Sequence, residues 1–129
     1  MITEDYVSFE TAKLLKDKGF NEKAKSYFTD DGLAGYMFGT GQKSNSELED
    51  YFYSRPTLQM AMKWLREVHN IAVSVYVFNR DLPVKENGIR YTCDIATAKM
   101  SSKEGHLRLT GTYEEACEYA IKYCLENLI

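Results

Sequence analysis

The stretch from Thr57 to Val77, TLQMAMKWLREVHNIAVSVYV, does most to limit what this chain can fold into. Its apolar spacing changes from a helical period to a period of two, with almost no spacer between. At about 100° per residue, Leu58, Ala61, Met62, Leu65 and Val68 fall on one face. Met60 and Trp64 widen that face, and Gln59, Lys63, Arg66 and Glu67 gather opposite. Such a stripe is what a core helix needs. Thr57 is a good N-cap, with Pro56 before it. Trp64 is expected to be buried. His69 ends the helix, where the dipole favours an imidazole, and that role fits it better than catalysis. Ile71, Val73, Val75 and Val77 then alternate with Ala72, Ser74, Tyr76 and Phe78, which predicts a strand.

The other elements follow from similar signals. Ser8 can cap a helix over 9–18, with Gly19 at C′ and Phe20 packing back on Leu15 in a Schellman stop. Two short apolar runs flank Asp31-Gly32, which predicts a hairpin with a type I′ turn. Residues 40–54 read as a loop, in which Ser46 and Glu49 could cap one helical turn. Residues 80–88 read as a loop ending in an Asn87-Gly88 turn. Ile89, Tyr91, Cys93 and Ile95 alternate with Arg90, Thr92, Asp94 and Ala96 as a further strand. KMSSKEG (99–105) reads as a loop and HLRLT (106–110) as a short strand. Thr112 and Glu115 form a capping box for a last helix. Its apolar face is Ala116, Cys117, Ala120, Ile121, Cys124 and Leu128, and its acidic start, Glu114, Glu115 and Glu118, reads as a solvated face.

The element order is therefore α-β-β-α-β-β-β-α. It predicts an α+β two-layer sandwich: one antiparallel sheet of about five strands with three helices on one face. A chain of 129 residues suits one domain, 1–129, and buries enough surface to need neither metal nor disulfide. In that sandwich Ile71, Val73, Val75, Val77, Ile89, Cys93 and Ile95 face the helices. Ser74, Tyr76, Phe78, Arg90, Thr92 and Asp94 form the open face. Two large aromatics beside an Arg make it a candidate partner face, although cross-strand aromatics also stabilise an open sheet alone.

Reactive chemistry is hard to find. The net charge is −3 and the densest charge runs, Glu47–Asp50 and Tyr113–Glu118, are acidic. A phosphate-binding footprint needs clustered cations, so nucleic acid is not an expected partner. The order helix, three strands, helix is that of a double-stranded RNA-binding domain. That fold's second helix begins with lysines, where this chain has TYEEACE. Three Cys with no C-x-x-C, and two His with no paired spacing, predict free thiols and no metal centre. No nucleophile elbow, P-loop or dinucleotide motif occurs, so no catalytic or cofactor-binding residue is assigned. An acidic, polar N-terminal stretch and the lack of a long apolar run predict a cytoplasmic protein that does not span a membrane.

Three segments carry a resemblance: YVSFETAKLLKDKGFNE (6–22), PTLQMAMKWLREVHNI (56–71) and YEEACEYAIKYCLENLI (113–129). In order and spacing they are similar to an uncharacterised family of small proteins encoded by phages and prophages of gut bacteria. The resemblance implies a phage setting in a bacterial host cell and supplies no activity. GTYEEACEYAIKYCLENL (111–128) separately resembles the helix of Hic-type antitoxins. The expected function is a non-enzymatic phage or prophage accessory protein acting through contacts with a protein partner, a homodimer being the simplest. The alternatives are a small-ligand binder or minor hydrolase with a site near 40–54, and an antitoxin-like partner protein.

Overall fold

A computed structural model describes residues 2–78, 90–98 and 100–129. The elements are α1 (Phe9–Asp17), β1 (Ser26–Phe28), β2 (Ala34–Tyr36), β3 (Tyr53–Ser54), α2 (Leu58–His69), β4 (Ile71–Phe78), β5 (Arg90–Thr97), β6 (Met100–Thr110) and α3 (Tyr113–Asn127). The class is α+β, but the strands form two antiparallel sheets of three, β2-β1-β3 and β4-β5-β6. The expected single sheet of about five strands is therefore corrected. Both edges of β1 are taken, by β2 and by β3. β3 ends after two residues at Arg55-Pro56, where Pro56 offers no N–H to extend the ladder. A strand this short carries no alternation, so its two residues read as loop in the sequence.

Each helix starts and stops as its residues dictate. Ser8 accepts from Thr11 N–H at 3.2 Å. At the other end Phe20 N–H donates to Leu15 O at 2.9 Å and Gly19 N–H to Lys16 O at 3.1 Å. That is the Schellman pair, with Gly19 at φ 91°. Thr57 caps α2 through Met60 N–H, and Asn70, at φ 54°, turns the chain straight into β4. A cap contributes about 1 kcal/mol, whereas burying one large aliphatic side chain contributes about 1.5–3 kcal/mol. Packing therefore dominates α2. Leu58, Ala61, Met62, Trp64 and Leu65 are buried, while Met60 and Val68 stay exposed. The true stripe is narrower than the periodicity implied.

α2 and α3 cover the inner side of β4-β5-β6, where Ile71, Cys93 and Ile95 are buried and Val73 and Val75 pack against the core. Val77, expected inside, is 48% exposed at the end of β4. In α3 the buried set is Ala116, Cys117, Ala120, Ile121, Cys124 and Leu125. Leu128 sits at the C-cap and only lines the core's edge. α1 contacts α3 and also the small sheet, where Phe9 meets Phe28 at 5.4 Å and Tyr53 at 5.7 Å between ring centroids.

Further local readings are corrected. The β1–β2 turn is not type I′, because only Gly32 (φ 84°) has a positive φ. Gly32 N–H donates to Thr29 O at 3.0 Å and Thr29 N–H to Leu33 O at 2.8 Å, a type I turn closed by a left-handed glycine. The capped turn in 40–54 spans Asn45–Glu47, with Glu47 accepting from Ser44 N–H at 3.0 Å, rather than Ser46 with Glu49. β6 already begins at Met100, and its ladder with β5 is interrupted by irregularities that hide the alternation. The Asn87-Gly88 turn and Ile89 lie outside the described residues.

Trp64 is 5% exposed and packs edge-on against Phe20 at 5.4 Å and His69 at 4.6 Å. Trp64→Ala is expected to destabilise the protein by about 3–5 kcal/mol. Urea unfolding measures this, and an unchanged midpoint would place Trp64 outside the core.

Candidate functional site

The open face of β4-β5-β6 follows from the pairing of β4 with β5, which runs without a break through eight residue pairs. Ser74 lies opposite Asp94, Tyr76 opposite Thr92 and Phe78 opposite Arg90. Directly opposed residues share a face, so all six expected residues lie on one side. Ser74 is exposed and Tyr76 is 40% exposed; Phe78, Arg90 and Asp94 are half-buried. Tyr76 Oη donates to Asp94 Oδ1 at 3.2 Å, a diagonal cross-strand bond. Thr92 requires a correction. It is 0% exposed in the middle strand, and its hydroxyl has no hydrogen-bond partner among the described residues. Alternation gives the side of a sheet, not accessibility, so five residues around a covered sixth make up this face.

A second cluster carried no sequence signal. The Arg55 guanidinium lies 4.1 Å from the Tyr6 ring centroid, 5.3 Å from Phe28 and 5.8 Å from Tyr36. Its Nη1 donates to Ser26 Oγ and Tyr36 Oη, both at 3.1 Å. Cation–π contacts and hydrogen bonds to neutral groups thus hold the charge. An open cleft of about 590 Å³ lies beside it, lined by Thr3, Glu4, Asp5, Tyr6, Tyr36 and Arg55. Glu4 and Asp5 on the rim repel an anion, so the guanidinium serves mainly to join the N-terminal segment to the small sheet.

The 40–54 segment is fastened down. Buried Asn45 donates to Phe20 O and accepts from Ser54 N–H, each at 2.8 Å. Lys16 Nζ donates to Asp50 O at 2.6 Å and Phe52 O at 2.9 Å. A concavity of about 540 Å³ takes only Ser44 from this segment. Its remaining walls include Glu22, Lys23, Lys63 and Glu67 beside the apolar edge of α2. Charges of both signs alternate there, and no group stands as a nucleophile with a base beside it.

The candidate reactive residues are dispersed. Cys93, Cys117 and Cys124 are buried and form no disulfide. His69 is half-buried against Trp64. Glu118, read as solvated, instead accepts from Ser8 N–H at 2.6 Å and from the Thr11 hydroxyl, tying α3 to the start of α1. Among the described residues no group of three or more His, Cys, Asp or Glu could hold a metal ion. Nor is any helix long and apolar enough to cross a membrane. Comparisons with family models, curated proteins and solved structures find no match to this chain.

Burial pushes the Cys117 thiol up to about 11 and the Cys124 thiol up to about 12, and raises Cys93. Folding thus favours the protonated form. Their contribution to stability is complete below the ordinary value of 9.0 and declines as pH rises through about 11 and 12. At pH 8 the native thiols should resist alkylation, and denatured protein should alkylate at all three. Rapid labelling of a native thiol would contradict this burial.

Proposed function

We propose that this protein acts by binding another protein chain through the helix-free face of β4-β5-β6, with Ser74, Tyr76, Phe78, Arg90 and Asp94 as the contact set. The observation that carries the reading is the exposure of Tyr76 on a face where Ser74, Ala72 and Ala96 are also exposed. Tyr, Phe and Arg are enriched at protein interfaces: the aromatics bury much area with few rotatable bonds, and Arg adds a planar fork of donors. The proposed role is that of a non-enzymatic accessory protein in a phage or prophage setting. Support for that setting is the resemblance of the three sequence segments. The antitoxin-like reading shares the same mode of action, a protein neutralised by contact, and is supported by α3 alone.

For a ligand-binding or hydrolytic reading near 40–54, the supporting observation is the cleft of about 540 Å³ beside α2. Asn45 and Lys16 tie the segment 45–54 to its neighbours, which gives a site near 40–54 less support.

Tyr76→Ser combined with Phe78→Ser is expected to lower affinity for the bound partner at least about a hundredfold, because two aromatic anchors are lost. Circular dichroism should show helix content unchanged, since α2 and α3 pack on the opposite side. Affinity is read by titration against the partner recovered with wild-type protein. Unchanged affinity would move the interface off this face.

A further inference from the structure

β4 is an outer strand of its sheet, paired with β5 on one edge only. Among the described residues, no strand pairs with its other edge. An exposed edge is a template for another strand, and folded proteins guard long edges with charge, proline or bulges. β4 has none of these. Its eight residues, IAVSVYVF, are uncharged, and its pairing with β5 is regular throughout. The other outer strands differ. β2 and β3 have three and two residues. β6 carries Lys103, Glu104, Gly105 and Arg108 in sequence, and its ladder is irregular.

We infer that β4 pairs antiparallel with β4 of a second copy about a two-fold axis at Val75, joining two three-stranded sheets into one of six. Antiparallel partners must lie on the same face, so the pairing has to match odd positions with odd and even with even. Centred on Val75, it sets Val75 against itself and Val73 against Val77 of the other copy. Val77, 48% exposed in one chain, then gains a β-branched neighbour on the helix side. On the open face Ala72 meets Phe78 and Ser74 meets Tyr76, each a small residue against a large one. Only the residue on the two-fold axis meets its own kind, so a charge there would face its like, and a charge at any other position would face its mirror mate. This strand has none. The pattern fits a second copy of this chain better than an unrelated strand, because both the size match and the valine ladder come from one sequence.

This inference rests on the interaction reading and specifies it: the partner is this chain, and the contact runs along the edge of the sheet beside the open face. A single strand pair is at the small end of stable interfaces, so association should fall in a roughly micromolar range.

Sedimentation velocity across a concentration series of the full chain tests it. Wild type should move from the 14.9 kDa monomer towards twice that mass. Ser74→Lys with Tyr76→Lys puts like charges opposite each other at two places across the axis, and should weaken association at least about tenfold. Ser74→Lys with Tyr76→Glu puts opposite charges at the same places and should restore association towards wild type, which also shows that charge here does not prevent folding. A monomeric wild type overturns the inference, as does a Lys/Lys variant that dimerises like wild type. A Lys/Glu variant as monomeric as the Lys/Lys variant overturns the register at Val75. A monomeric wild type still leaves the open-face reading to the Tyr76→Ser, Phe78→Ser titration, so the two fail separately.

Discussion

The structure hangs on the close fit of α3 against the middle of the large sheet. Ala116, Cys117, Ala120 and Cys124 are small, and all are 0–1% exposed. Their size lets the helix approach Cys93 and Ile95, while Ile121 and Leu125 fill the space beside them. The cost of any void or overlap there is steep, because interior packing relaxes only partly. α3 also touches α1 and α2, so it carries the core from the large sheet to the rest of the chain. Glu118 fixes the first turn of α1, and Lys122 pairs with Glu10 at 2.8 Å further along. The second contact is solvent-exposed and adds orientation more than stability. The first satisfies a backbone donor that α1 would otherwise leave to water.

From α1 the order passes to the small sheet. Phe9 packs on Phe28 and Tyr53, Lys16 holds the carbonyls of Asp50 and Phe52, and Asn45 joins the end of α1 to β3. This explains why two- and three-residue strands persist. They are too short to stand on their own ladders, and side chains from a helix supply what the ladders lack.

The parts readable in sequence are those set by local chemistry. The Ser8, Thr57 and Thr112 caps, the Gly19 stop and the helix-to-strand change at Asn70 depend on neighbours within a few positions. Strand β4 was readable for the same reason. What stayed hidden depends on distant partners. β3 exists because β1 offers an edge, Glu118 turns inward because α1 begins there, and Arg55 finds Tyr6, Phe28 and Tyr36 only after folding. For the candidate face, alternation placed all six residues on the right side, since the register is unbroken. It could not tell that Thr92, in a middle strand, would be covered, or that Val77 would run past the helices.

The same register that makes the face legible leaves one edge of β4 with no paired strand among the described residues. The proposed self-pairing would complete that edge with a second chain. Amide hydrogen exchange of residues 71–78, followed across a dilution series, reads it directly. With edge pairing, protection in β4 rises with protein concentration while that of β1–β3 stays constant. Protection of β4 that is independent of concentration, in a protein that still self-associates, would contradict edge pairing.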